Sequence, residues 1–317
     1  VLTTPVVRCL KQQLGAEVHY LTKKQYYSIV SHNPYIDKVH VYGSDGGKMI
    51  NKLRQENYDV IIDLHHNLRT LMIKMQLRKK YYSFNKLNIE KWLFVNFKMD
   101  RLPDVHIVDR YMDTCRPLGV TNDGGGLDYF IPEKDEVDIA TLPEGFQNGY
   151  IAWVIGAKQY TKQFPNEKIV HVLKSTDMPV VLIGGKEDRR NSKAINLGIT
   201  NREKVYDTVG QYNISQSASL IRHARLVVTN DTGLMHIAAA LKKNIISMWG
   251  STVPLLGMYP YYGKHPARAK IMEVGGLSCR PCSKIGKSHC PKGHFKCMKD
   301  MNDLLLIKEM SSMYEKG

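Results

Sequence analysis

Residues 225–251, RLVVTNDTGLMHIAAALKKNIISMWGS, decide the fold. The apolar run Leu226-Val227-Val228-Thr229 has the length and β-branched content of a buried strand, whereas Leu234, Ile237, Ala238 and Leu241 recur at helical spacing. A second apolar run, IISMW, follows, so the stretch reads as strand, polar turn, helix, strand. Asn230-Asp231-Thr232-Gly233 then falls where a parallel strand ends and a helix begins, with the free N–H groups of the first turn facing the crevice above the sheet. Such a turn is an anion site. Gly233 lets a ligand approach the backbone, Thr232 adds a hydroxyl, and His236 lies one helical turn on. The plainer alternative is that Asp231 or Thr232 merely caps the helix and His236 is a surface histidine.

Outward from this unit the second half repeats the pattern. GYIAWVIGA (149–157) and PVVLIGG (179–185) read as buried strands, with helices expected from Pro165 onward, over 188–199 and over 214–224. This predicts a doubly wound α/β domain. Lys162, in the loop after the first of these strands, is placed to neutralise a diphosphate in the same crevice as Thr232 and Gly233.

In the first half, strands at 16–22, 37–42 and 58–64 alternate with helices, one of them over 45–56, which favours a mostly parallel sheet. The loop Asp63 to Arg69 sits at a strand's carboxyl end and is a plausible acceptor-contact loop; its adjacent histidines point in different directions and make poor metal ligands. Residues 78–101 interleave basic and aromatic side chains. They read either as a helix packing its aromatic face on the core or as a lip touching anionic lipid. A further helix is expected over 106–120, and 121–149 reads as the interdomain crossing.

At 317 residues the chain suits two domains. No apolar stretch approaches the about 20 residues that span a bilayer, which makes the cytoplasm the default compartment. A formal net charge of +15 favours anionic partners without choosing among them.

D-T-G-L-M-H (231–236), followed by a small-residue helix, an apolar strand and the turn of Gly250, Ser251 and Pro254, resembles the donor-binding signature of glycosyltransferase family 9, the bacterial lipopolysaccharide heptosyltransferases. Lys162-Gln163-Phe164-Pro165 matches the family's lysine, polar, aromatic, proline run, and VLTTPVVRCLK resembles its opening motif. The resemblance implies a GT-B architecture, two doubly wound Rossmann-like domains facing a central cleft. Their expected bounds are 1–140 and 141–300, with a terminal helix over 301–317 bracing both. It further implies an inverting, metal-independent transfer of a sugar, heptose from ADP-heptose, to a lipid-linked saccharide of the lipopolysaccharide core.

On this reading Lys162 and Asp231 are the catalytic candidates, and the general-base aspartate and the first strand are expected upstream of Val1. Ala157, Glu187, Thr232, Gly233 and His236 are donor-side candidates; Thr3, Asp63, His65 and Arg69 are acceptor-side candidates. The implied partners are a nucleotide-diphosphate sugar, an anionic acceptor and the inner membrane leaflet, touched peripherally from the cytoplasm by a monomer. Nucleic acid is not expected, and no D-x-D motif suggests a catalytic metal.

Cys9 and Cys115 read as packing residues. Cys279, Cys282, Cys290 and Cys297, spaced C-x2-C-x7-C-x6-C, read as candidate ligands of a structural zinc, with free packed thiols or disulfides as alternatives. Two other functions compete: a nucleotide-sugar epimerase of similar fold, and a basic zinc-knuckle protein that binds nucleic acid.

Overall fold

The computed structural model describes residues 1–43 and 46–316, so Asp45 and Gly317, at the ends of two expected helices, lie outside the described residues. The chain forms two compact units. The first comprises Val1–Asn88, Val105–Phe130 and Gly263–His265; the second comprises Ile89–Asp104, Ile131–Tyr262 and Pro266–Gly317.

The first unit opens with a helix, Thr4–Leu14, whose Pro5 occupies the first turn and whose end is set by Gly15 at φ 60°. Strands β1 (His19–Lys23) and β2 (Lys38–Tyr42) pair in parallel, as do β3 (Val60–Asp63) and β4 (Lys80–Ser83). Val6, Cys9, Met112, Cys115 and Val120 form one small core, where both free thiols are packed away as expected.

The stretch 78–101 is not one helix. Tyr81 and Tyr82 enter β4, Leu87 turns the chain at φ 53°, and a helix runs over Asn88–Phe97. Aromatic pairs suit a pleated strand better than a helix, and that preference wins in the first part. The helix does not press its aromatic face into a core: none of its residues is buried, and Trp92 and Phe97 are more than half exposed. The expected helix over 106–120 is α-helical only over Ile107–Met112; it tightens to a 3₁₀ turn over Asp113–Leu118, where Pro117 lacks the N–H that an α-helix needs.

Residues 123–128 are fastened to the first helix by Arg8, which is buried. Its guanidinium grips Asp123 through two bonds of 2.7 and 2.8 Å, donates to the Gly126 carbonyl at 2.9 Å and pairs with Asp128. Lys264 donates its backbone N–H to the Gly124 carbonyl at 2.8 Å, and a Cβ on Gly263 would stand 2.2 Å from that oxygen. The Arg8 guanidinium holds the Asp123 carboxyl down to about 2 against the opposing effect of burial. A carboxyl depressed from 3.8 contributes stability that is whole above about 3.8 and is lost as pH falls through about 2. Asp123→Asn should therefore flatten the stability–pH slope in that window, measured by denaturant unfolding; an unchanged slope would refute the assignment.

The second unit is built on six parallel strands: β5 (Ile151–Val154), β6 (Val180–Ile183), β7 (Val205–Asp207), β8 (Leu226–Asn230), β9 (Asn244–Trp249) and β10 (Ala269–Glu273). Their order is β10-β9-β8-β5-β6-β7. Strands β5, β6 and β8 are buried throughout, which is why each reads as a continuous apolar run. The edge strand β10 gave no such signal. The terminal helix Asp303–Tyr314 packs on the helix Asn166–Lys174 and on β8 and β9, with Lys168 at 2.8 Å from Asp303. Expected to brace both domains, it is here tied to second-unit elements.

Candidate active site

In the second unit the chain leaves β5 towards β6 on one side, while β8, on the other side of β5, leads to β9. This reversal opens a crevice outside the carboxyl ends of β5 and β8, the place where doubly wound sheets take their ligands. Asn230, wholly buried at the end of β8, joins the two loops that line it. Its Nδ2 donates to the carbonyls of Ile155 and Gly156 at 3.1 and 3.4 Å, and its Oδ1 accepts from the Phe164 N–H at 3.1 Å.

Those bonds set the height of Lys162, which ends the 3₁₀ turn Tyr160–Lys162. Its ammonium lies 2.6 Å from Asp231 Oδ2 and donates weakly to the Asp231 carbonyl at 3.4 Å. Asp231 Oδ2 also accepts from Thr252 Oγ1 at 2.8 Å. An ammonium has three protons, so one remains for a ligand.

Thr232, not Asp231, caps the helix Gly233–Ala240: its Oγ1 accepts from the Leu234 N–H at 3.2 Å. The sequence offered Asp231 either as the cap of this helix or as a catalytic group; in the structure its carboxylate holds Lys162 and Thr252. No atom lies within 4 Å of the position a Cβ on Gly233 would take, so the backbone there is approachable. A fixed cation and a helix N-terminus thus adjoin at one strand end, an arrangement that stabilises a departing diphosphate.

Of the remaining donor-side candidates, the Ala157 carbonyl accepts from Gln163 Nε2 at 2.8 Å, and the His236 ring is buried on the Thr232 helix, unlike a surface histidine. Glu187 is exposed in the turn after β6. Its neighbour Asp188 is buried, accepts from the Gly185 N–H at 2.9 Å and packs so closely that a Cβ on Gly156 would stand 2.1 Å from it. Burial pushes the Asp188 carboxyl up, against the Gly185 bond that lowers it.

The acceptor-side candidates all lie in the first unit. The Thr3 hydroxyl is 3.0 Å from the Tyr20 hydroxyl. Asp63 is buried and bound at 2.7 Å by Lys74, and it accepts the backbone N–H groups of His65 and His66. Burial alone would raise its carboxyl, but Lys74 and these bonds outweigh that and hold it low. These bonds shape the loop. Partial desolvation and the neighbouring Lys86, with Arg69 and Lys23, push the His65 imidazole below its usual range, against the opposing pull of Asp63. Arg69 stacks 5.0 Å above the Tyr42 ring and, with Lys23, Lys24, Gln25 and Gly43, lines an open basin of about 630 Å³.

Sequence reasoning missed the wall behind Lys162. The Cys-rich loop docks there: the Lys287 N–H donates to Thr161 Oγ1 at 2.8 Å, the Cys282 N–H to the Ser251 carbonyl at 3.0 Å, and Ser251 Oγ to Thr161 Oγ1 at 2.8 Å. Arg280 donates to the carbonyls of Gly250, Thr252 and Val274 at 2.6, 3.0 and 2.7 Å and to Glu273 at 2.9 Å. The charged run of this loop hid that role. Its four thiols are free, Cys279 Sγ lies 3.9 Å from His294 Nε2, and burial pushes the Cys297 thiol up to about 12. Among the described residues no three side chains of this loop bring ligand atoms within 4.8 Å of one another.

Residues 47–291 match the family model described as glycosyltransferase family 9 (heptosyltransferase). The chain is 26% identical over 279 residues to lipopolysaccharide heptosyltransferase 3 of Escherichia coli K12, which covers 79% of each chain. Among solved structures it resembles a glycosyl transferase family 9 protein of Veillonella parvula, with a TM-score of 0.74 at 21% identity over 100% of this chain and 94% of that one. It also resembles E. coli ADP-heptose LPS heptosyltransferase II, with a TM-score of 0.73 at 16% identity over 99% and 95%.

Proposed function

The chain belongs to glycosyltransferase family 9, the heptosyltransferases, and is a glycosyltransferase of GT-B architecture; from that premise we propose that it moves heptose from ADP-heptose to an anionic, lipid-linked saccharide of the lipopolysaccharide core. In this reaction an acceptor hydroxyl oxygen bonds to the anomeric carbon from the face opposite the leaving group. The carbon–oxygen bond to the diphosphate breaks, ADP departs with the electron pair, and the hydroxyl proton passes to a general base. The observation that carries the reading is the Lys162 ammonium, fixed at 2.6 Å from Asp231 beside the approachable N-terminus at Gly233. The one ammonium proton not taken by Asp231 and the first-turn amides receive the charge that grows on the diphosphate. The family sets aside the epimerase and the nucleic-acid binder.

On the acceptor side, Lys23, Lys24 and Arg69 around their basin supply three cations, which suits a phosphorylated saccharide. No helix among the described residues is long and apolar enough to cross a membrane. The exposed Ile89, Trp92 and Phe97, beside Lys91 and Lys98, support peripheral contact with an anionic leaflet. The thiols of Cys279, Cys282, Cys290 and Cys297 are free and, as the loop stands, do not converge on one point, so this geometry does not carry the structural zinc that their spacing suggested.

Nucleoside-diphosphate release measured with a heptose-lacking core acceptor should favour ADP-heptose over GDP- and UDP-sugars by about 100-fold in kcat/KM. Equal turnover of the three, or release of free sugar with no glycosylated acceptor, would overturn the proposal.

A further inference from the structure

A second site stands in the first unit, independent of the transfer reaction. In the parallel register of β1 and β2, His19 faces Lys38 and Leu21 faces His40, so His19 and His40 project from one face of the pair, two residues apart in register. The segment that follows the helix Gly46–Gln55 brings Glu56 and Tyr58 onto that same face. All three ligand-bearing side chains are shielded: His19 is 7%, His40 11% and Glu56 20% exposed.

The hydrogen bonds decide which way the imidazole nitrogens present themselves. His19 Nε2 lies 2.9 Å from Glu17 Oε1, and a carboxylate only accepts, so in the neutral ring Nε2 carries the proton and Nδ1 the lone pair. That lone pair faces His40 Nε2 at 3.3 Å, with Glu56 oxygens 3.9 Å from the first nitrogen and 3.8 Å from the second. The Tyr58 hydroxyl, 3.0 Å from His19 Nδ1 and 3.1 Å from His40 Nε2, has one proton and can serve only one of them. Two imidazole nitrogens and a carboxylate thus converge, with their ligand atoms all within 4.8 Å of one another.

We propose that His19, His40 and Glu56 bind one divalent transition-metal ion of borderline softness, with zinc as the type, which clips β1, β2 and the segment after the Gly46–Gln55 helix together. Two imidazoles and a carboxylate are a donor set for such an ion. With metal–nitrogen bonds of about 2.0–2.1 Å, neighbouring ligands of a tetrahedral ion stand about 3.3–3.4 Å apart. The two nitrogens already meet that spacing. Glu56 must move in by about half an ångström and give up Lys38, with which it now pairs and whose side chain is half exposed. Glu17 on the far nitrogen of His19 is the outer carboxylate that orients a ligating imidazole.

The test is titration of the metal-stripped, full-length chain with Co²⁺, read by visible absorption and then by displacement with Zn²⁺. The expected result is one Co²⁺ with ligand-field bands and no thiolate-to-metal charge transfer, the latter band reporting the Cys-rich loop separately. His40→Ala should weaken this binding by at least about 100-fold, the upper end of what losing an outer-shell partner costs. Glu56→Gln, which keeps the size of a side chain on the unit's surface, should weaken it in the same direction and guards against a His40 variant that fails to fold, as checked by circular dichroism. Three results would each overturn the proposal. They are no Co²⁺ uptake, uptake carrying only the thiolate signature, and uptake unchanged in a folded His40→Ala or Glu56→Gln chain.

Discussion

Replacing Lys162 with alanine should lower kcat for transfer from ADP-heptose about 10²–10³-fold, the usual cost of removing one fixed group that meets charge developing in the transition state. The reason lies in the timing of that charge. The diphosphate gains negative charge as the glycosidic bond breaks, so the ammonium 2.6 Å from Asp231 acts more strongly on the transition state than on the bound donor. The loss should therefore fall mainly on kcat, with KM for the donor changing less. Lys162→Arg should restore part of the rate, since charge is kept while the compact point contact is replaced by a planar fork. The fold should survive, because the side chain is anchored through Asp231 at the rim of the crevice and not through the core. Unchanged kcat in a folded Lys162→Ala chain would remove the leaving-group assignment, whereas a pure KM effect would recast Lys162 as a binding residue.

The second large effect is expected away from the reacting atoms. Arg280→Ala takes the donor from the carbonyls of Gly250, Thr252 and Val274 together, each of which costs about 1–3 kcal/mol when left without a partner. With partial rehydration the second unit should lose about 3–5 kcal/mol. Little of this comes from Glu273, an exposed partner whose ion pair contributes little. The urea midpoint should fall without a change in slope, and transfer should fall too, since Thr252 can no longer steady Asp231. Lys284→Ala, exposed in the same loop, should stay within about 0.5 kcal/mol of the parent. Equal stability of the Arg280 and Lys284 variants would show that the loop is an appendage and not the wall of the site.

What could be read beforehand follows from where periodicity speaks. Strands buried on both faces, such as Leu226–Asn230, advertise themselves as apolar runs, and the Thr232-Gly233 turn follows from its place at a strand end. Lys162 was legible for the same reason. β4 and β10 were not: each is short and carries charged or tyrosyl side chains on an exposed side, so neither period dominates. Thr161, Thr252 and Arg280 were invisible because most of their work is done by contacts 21 to 126 residues apart in the chain, for which no local pattern exists. The pairing of Asp231 with Lys162 likewise depends on Asn230 drawing two loops together, and composition alone could not separate that role from capping. The His19, His40 and Glu56 cluster escaped notice because its members are scattered over 38 residues and meet only through strand register and the segment that follows a helix.

The thread Gly263–His265, lying on Gly124, gives the amino-terminal unit an awkward birth. About 135 residues separate Phe130 from His265, and a ribosome adding about 5–20 residues per second needs roughly 7–27 s to deliver them. Throughout that interval β5 to β9 are already emerging, so the part of the protein made first is finished only after most of its successor's sheet is available. A nascent chain arrested in this window should be the form most in need of a chaperone, and the most exposed to proteases.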